Sequence, residues 1–222
     1  MVSKSLFNFL EDLKQNNQKD WFESNKKQFQ EEEKALKNFF NSITAGLNEF
    51  DEIEKTKIFR IYKDVRFSKD KTPYKTHRGA NWMRAGAHRR GSYYLHLEPG
   101  NTFLACGFFE PNPQDLLRFR REFEMDDTHI RKIFSHPDFK KEFNGFDKSN
   151  QVKTAPKGFD KDHKAIDLIK NKSFYVIHYF SDKEALDADF SKEVIRLFKL
   201  TLPFLDYMTE VVTTDLNGVS IL

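Results

Sequence analysis

The chain has 222 residues, 38% hydrophobic and 32% charged, which is long enough to bury a core. Its single cysteine, Cys106, excludes an intrachain disulfide and a zinc site made of four cysteines. A mean hydropathy of −0.71 and the lack of an apolar run of about 18 residues exclude a membrane-spanning helix. We expect a cytoplasmic protein without a membrane partner, folded as a single domain over residues 1–222.

Positive charge is concentrated in one segment, although the formal net charge is only +3. Residues 57–90 contain 11 of the 37 Lys and Arg but only two of the 34 acidic residues, Asp64 and Asp70, and so carry +9. The remaining 188 residues carry 26 basic and 32 acidic side chains, or −6. An anionic partner is therefore expected at this segment.

The N-terminal third is predicted to be helical. Leu6, Phe9, Leu10 and Leu13 recur at helical spacing. After a polar break, Asp20 followed three residues later by Glu23 resembles a capping box, which predicts one long helix over residues 21–50.

The middle of the chain has the alternation typical of strands. Residues 57–67 predict a strand, and residues 68–91 a long basic connection containing three glycines and one proline. Residues 92–98 and 102–110 then predict an antiparallel hairpin, because the intervening Pro99, Gly100 and Asn101 favour a tight turn.

Helices return in the C-terminal half, with one strand between them. Asn112 and Pro113 predict the start of a helix over residues 114–124, and Pro137 separates two short helices. A short helix over residues 163–171, a strand over 173–181, and a helix capped by Ser191 and kinked at Pro203 follow. This order predicts an α+β fold: a central antiparallel β-sheet with helices from both the N- and C-terminal parts packed on it.

Several segments resemble a known family. They are RIYKDVRFSKDKTPYK at 60–75, YYLHLEPG at 93–100 and GFFEP at 107–111, in that order along the chain. Together they are similar to the domain-of-unknown-function family 2461, a family of conserved hypothetical proteins from bacteria and fungi. The resemblance implies one intact member of that family, and it implies no activity, cofactor or catalytic residue, because the family has none assigned.

The basic stretch is the first candidate site. Arg and Lys held close together bind phosphate or carboxylate groups, and Arg does so through a planar fork. We expect a basic, aromatic-lined site for a small anionic ligand, a phosphorylated one above all, with Tyr74 packing on the ligand and Asp64 orienting an Arg. The cations expected to hold the anion are Arg60, Arg66, Lys69, Lys71 and Lys75. The alternative is a solvated basic face with local ion pairs.

His96 and Glu98 form the second candidate site. Two residues apart on a strand, they point to the same side, as does Tyr94. This pair, with Asp64 as a further candidate, suits a hydrolytic or metal-assisted enzyme. The alternative is a His and a Glu that are hydrogen-bonded together on a half-buried sheet face, so we assign no metal ligand and leave the cofactor open. His77, His88 and His163 fall in predicted loops, where they could bind a metal or shuttle protons, although histidines scattered through a charged chain are more often solvated.

Nucleic acid is a further candidate partner. Rings interleaved with the cations, among them Phe59 and Tyr94, provide both ingredients of a single-stranded nucleic-acid-binding module. The net −6 of the remaining chain argues against a long polyanion and favours a small ligand. The sequence leaves open whether the protein is an enzyme and what its oligomeric state is.

Overall fold

The computed structural model describes residues 1–222 and has the α+β fold predicted from the sequence. Five strands form one antiparallel sheet in the order β1-β2-β3-β4-β5. Their bounds are β1 Ile53–Ile58, β2 Arg78–Arg84, β3 Ser92–Leu97, β4 Thr102–Phe108 and β5 Phe174–Phe180. Each strand therefore pairs with its neighbour in the chain, and all the helices between β4 and β5 lie in one long connection.

Ten helices complete the fold, and none of them has both the length and the apolar character that crossing a bilayer requires. They are α1 Lys4–Gln15, α2 Lys19–Ser24, α3 Lys26–Leu47, α4 Pro113–Met125, α5 Thr128–Ser135, α6 Pro137–Glu142, α7 Ile166–Ile169, α8 Asp182–Ala185, α9 Phe190–Leu200 and α10 Leu202–Thr213.

The chain divides into two compact units. The first comprises residues 1–82, 94–104 and 179–196, and the second comprises residues 83–93, 105–178 and 197–222. Both candidate sites lie in the first unit.

In the first unit, one face of the sheet packs on α3. Trp82 of β2 is fully buried and donates a hydrogen bond from Nε1 to Oγ1 of Thr44, 2.8 Å away. Its indole meets the ring of Phe40 edge-on, with ring centroids 5.9 Å apart. Successive side chains of a strand point to opposite faces of the sheet, so the residues next to the buried ones point away from α3.

The long N-terminal helix predicted to begin at Asp20 is instead two helices, α2 and α3, which meet at Asn25. Gln18 is the N-cap residue of α2, and Asp20 lies inside its first turn. A carboxylate in the first turn favours a helix through the macrodipole. Asp20 therefore indicated that a helix begins here, but it is a first-turn residue and not the N-cap.

The strand predicted over residues 57–67 is wrong. β1 ends at Ile58, and residues 59–77, here called the basic loop, follow it. The loop pairs with itself: Lys63 N donates to Pro73 O and Lys75 N donates to Ile61 O, beside a bridge between Tyr62 and Tyr74. The alternation of apolar and polar residues after Ile58 therefore corresponds to pairing within the loop and not to a strand of the main sheet.

An interior strand of the sheet, β2, lies where the sequence predicted a basic connection. In β2, Arg78 and Arg84 occupy buried positions, which is unusual for arginine. Each guanidinium is paired with a carboxylate, that of Glu33 for Arg78 and that of Asp206 for Arg84. Tertiary ion pairs thus allow two arginines to occupy a buried strand, and no local sequence pattern reveals such partners.

In the second unit most local predictions are confirmed. Asn112 caps α4 by accepting hydrogen bonds from Gln114 N and Asp115 N, with Pro113 in the first helical position. The C-terminal helix is divided near Pro203 into α9 and α10, as a proline requires. In the first unit, Ser191 lies within α9 rather than at its cap.

Candidate functional site

The site lies on the face of β3 opposite the core. Tyr93, Leu95 and Leu97 are fully buried, whereas Tyr94, His96 and Glu98 alternate with them and point to the other side. The predicted hairpin with β4 is present, since Asn101 N donates to Glu98 O across the turn at 2.9 Å. Glu98, directly after β3, is thereby held next to His96.

Three potential ligand side chains converge here. His96 Nε2 lies 3.2 Å from Glu98 Oε2. The ring of His77, the last residue before β2, contacts the His96 ring at a tilt of 31°, with ring centroids 4.2 Å apart. One side-chain nitrogen or oxygen of each of the three residues lies within 4.8 Å of the others. We call His77, His96 and Glu98 the His-His-Glu cluster.

Neighbouring side chains hold the cluster in place. Tyr94 Oη lies 3.1 Å from His96 Nδ1, and Phe103 of β4 stacks on the His96 ring at 4.6 Å. Glu98 accepts hydrogen bonds from Thr76 at 3.0 Å and from Asn101 at 3.1 Å. The imidazole and the carboxylate are therefore both oriented from two sides.

Burial controls the charge of the cluster. Burial and repulsion from His96 lower the pKa of His77 to about 4, despite the attraction of Glu98. Burial also lowers the pKa of His96, although its hydrogen bond with Glu98 opposes this shift. For Glu98, burial would raise the pKa, but hydrogen bonds from Asn101, His96 and Thr76 hold it below its ordinary value. These shifts favour neutral imidazoles beside an ionised carboxylate.

A row of aromatic rings continues from the cluster across the same face. Tyr94 contacts Phe59 and Phe103, with ring centroids 5.9 Å apart in both pairs. Phe103 in turn contacts Tyr179 of β5 at 5.7 Å. Tyr179 is 61% exposed, and Phe59, Tyr94 and Phe103 are half-buried, so the row is accessible from solvent. We call these four residues the aromatic row.

Part of the predicted basic cluster lies beside this row. Lys57 Nζ and Lys75 Nζ lie 5.1 Å and 5.4 Å from the centroid of the Phe59 ring. Burial lowers the pKa of Lys75, and repulsion from Arg78, Arg60 and Lys57 lowers it further. No carboxylate forms an ion pair with Lys57, Arg60 or Lys75, although Asp64 attracts Arg60 at longer range, and we call these three residues the cationic group.

The other predicted cations lie elsewhere in the basic loop. Arg66 is 76% exposed and forms a two-pronged ion pair with Asp64, from Nε at 2.9 Å and from Nη2 at 2.6 Å. Lys71 donates to Val65 O, and Lys69 is exposed. Of the predicted cations, Lys75 and Arg60 lie close enough for their charges to repel each other. Arg66, Lys69 and Lys71 lie in or near the tip of the basic loop.

Tyr74 lies in the core of the first unit. It is 3% exposed and stacks on Phe22 with ring centroids 4.1 Å apart and nearly parallel planes. Asn17 brackets its backbone, donating to Tyr74 O at 2.9 Å and accepting from Tyr74 N at 3.1 Å. Tyr74 therefore anchors the basic loop beside the cationic group.

Sequence reasoning placed His77 among solvated loop histidines and omitted Lys57. His77 is separated from His96 by 19 positions, and only the pairing of β2 with β3 brings the two together. No alternation marked this strand in the sequence, because Arg78, Gly79, Ala80 and Trp82 are all buried.

Comparisons with curated proteins and with solved structures found no match to this chain. Residues 5–207 match the family model described as "Conserved hypothetical protein (DUF2461)", which covers most of the chain and includes every residue of the site. The segments that resembled this family in the sequence form the basic loop, β3 with its turn, and the end of β4. The chain therefore belongs to the DUF2461 family of conserved hypothetical proteins.

Proposed function

We propose that this protein binds a small phosphorylated ligand at the cationic group, with the aromatic row beside it. The observation that carries the proposal is that Lys75 is half-buried among Lys57, Arg60 and Arg78, without a carboxylate partner of its own. Like charges brought together raise the free energy of the folded protein, and a bound anion would remove that cost.

The phosphate would lie at Lys75 and Arg60. Arg60 offers a planar fork and Lys75 a point charge, a combination suited to the tetrahedral oxygens of a phosphate. Arg66 is paired with Asp64, so it would have to exchange that partner for the ligand. Lys69 and Lys71 would add longer-range attraction from the loop tip.

The aromatic row favours a ligand that also has a flat ring. Tyrosine and phenylalanine rings that reach the surface of a sheet stack on bases and similar groups, with a contribution of about 1–3 kcal/mol per stacked base. We expect adenosine monophosphate to bind more tightly than inorganic phosphate or adenosine, because only the nucleotide would use both features.

Titration calorimetry with these three compounds tests the proposal. Lys75→Gln and Arg60→Ala are each expected to weaken adenosine monophosphate binding by about 10-fold or more, as loss of one charge-assisted contact predicts. Lys161→Gln is the matched control, since Lys161 is an 80% exposed lysine in the second unit. Absence of nucleotide and phosphate binding, or equal affinity in all variants, would refute the proposal.

A single-stranded nucleic acid is the second candidate, and the length of the aromatic row favours it. Phe59, Tyr94, Phe103 and Tyr179 extend from the basic loop to β5, which is more rings than one nucleotide would use. An oligothymidylate should then bind with steep salt dependence, and Phe103→Ala should weaken it. No binding at low salt would eliminate this candidate and leave the small-ligand proposal intact.

A further inference from the structure

A metal centre is the second function that this face of the sheet can support. Two imidazoles and one carboxylate from His77, His96 and Glu98 come within 4.8 Å of one another. Zinc bonds to histidine and carboxylate ligands are about 2.0–2.2 Å long, so tetrahedral ligands are separated by roughly 3.3–3.5 Å. The 3.2 Å between His96 Nε2 and Glu98 Oε2 is close to that separation.

The side chains around the cluster are those expected around a metal. A metal-binding histidine commonly uses its second ring nitrogen in a hydrogen bond, and ligating carboxylates are hydrogen-bonded as well. Here Tyr94 occupies Nδ1 of His96, which leaves Nε2 directed at Glu98. Thr76 bonds one oxygen of Glu98 and Asn101 the other.

The type of ligand selects the type of metal. Imidazole favours zinc and other divalent first-row transition ions, whereas magnesium and calcium prefer sites made wholly of oxygen. Three protein ligands are also fewer than the four of a closed structural zinc site, so a further position stays available for water or a ligand.

We propose that His77, His96 and Glu98 bind a divalent transition-metal ion of the zinc class, with Tyr94 as a positioning residue for His96. The sequence alone assigned no metal ligand, because it did not show which further residue would join His96 and Glu98. The proposal does not depend on anion binding, and Lys75→Gln is expected to keep the full metal stoichiometry.

The experiment uses the full chain without a histidine tag, treated with chelator and then titrated with Zn²⁺ in a calorimeter. Cobalt(II) serves as the spectroscopic probe, because a site of low coordination number gives intense visible absorption. We expect one Zn²⁺ per chain and cobalt bands in the wild-type protein. His77→Ala and Glu98→Gln should each weaken Zn²⁺ binding by at least about 100-fold, and Tyr94→Phe by about 10- to 100-fold.

His88→Ala is the matched control, because His88 is an exposed histidine outside the cluster. Circular dichroism and thermal melting must show that each variant is folded, and Tyr94→Phe retains the ring that packs on Phe59 and Phe103. A wild-type stoichiometry well below one would overturn the proposal. So would Zn²⁺ binding that His77→Ala and Glu98→Gln leave unchanged, or that His88→Ala abolishes.

Discussion

The guanidinium of Arg78 is buried in the first unit and forms two hydrogen bonds to Glu33 of α3. Nη2 lies 2.7 Å from Oε1, and Nε lies 3.1 Å from Oε2. Arg78 is 1% exposed and is the first residue of β2. The pair thus connects α3 to the strand that begins directly after His77.

Removing the charge of Glu33 should destabilise the protein strongly. In Glu33→Gln the buried guanidinium loses its counter-ion, and breaking such a pair costs about 3–5 kcal/mol. Because the Glu33 side chain is 18% exposed, we expect a loss near the lower value, about 3 kcal/mol in the free energy of unfolding. Urea denaturation monitored by circular dichroism measures it.

Glu124→Gln is the comparison for that measurement. Glu124 pairs with Arg121 along α4, and both side chains are more exposed than those of the Arg78 pair, at 27% and 42%. Partly solvated pairs contribute about 1 kcal/mol or less. If the two variants lose similar free energy of unfolding, then the burial of Arg78 does not increase the stability that Glu33 contributes.

The reactivity of Lys75 should report the crowding of positive charge. Its folded-state pKa is lowered by burial and by Arg78, Arg60 and Lys57, so the amine becomes a nucleophile at lower pH than in the unfolded chain. Acetylation followed by mass spectrometry over a range of pH should give a midpoint below 10.5 in the folded protein. Arg60→Ala should move the midpoint upward, because it removes a repelling charge.

The sign of the accompanying stability change follows from proton linkage. Between the folded and unfolded pKa values of Lys75, the unfolded chain binds more protons, so its contribution to the free energy of unfolding rises with pH in that interval. Anion binding needs the ammonium form and should weaken as pH rises through the folded-state pKa. A midpoint at or above 10.5 would contradict the lowered pKa of Lys75 and the stability change that follows from it.

Asn17 should control the order of the basic loop without touching a ligand. It forms two hydrogen bonds with the backbone of Tyr74, and Asn17→Ala would leave both backbone groups without that partner. We expect a loss of about 1–3 kcal/mol and faster hydrogen exchange in residues 62–75. Hydrogen exchange measured by mass spectrometry checks this.

Asn16→Ala provides the contrast, because the Asn16 side chain bonds only to Asp12 O at the end of α1. Exchange in the basic loop should be the same as in the wild type. If Asn17→Ala also leaves loop exchange unchanged, then the stacking of Tyr74 on Phe22 is sufficient to hold the loop.

Local physical rules were sufficient for most of the fold. The Asn112 and Pro113 start of α4, the break near Pro203 and the turn at Pro99–Asn101 follow from dihedral preferences and capping within a few residues. The alternation in β3 likewise placed Tyr94, His96 and Glu98 on one face before any tertiary contact was known. The concentration of positive charge in residues 57–90 was a direct property of the sequence.

Only the tertiary structure decided which of these positive charges are paired with carboxylates and which lie beside one another. It placed Arg78 and Arg84 in buried ion pairs, paired Arg66 with Asp64, and left Lys57, Arg60 and Lys75 together near the rings. It also brought His77 to His96, because the pairing of β2 with β3 joins positions far apart in the chain. Ion pairs and sheet pairings depend on distant partners, and the periodicity of a single segment carries no information about them.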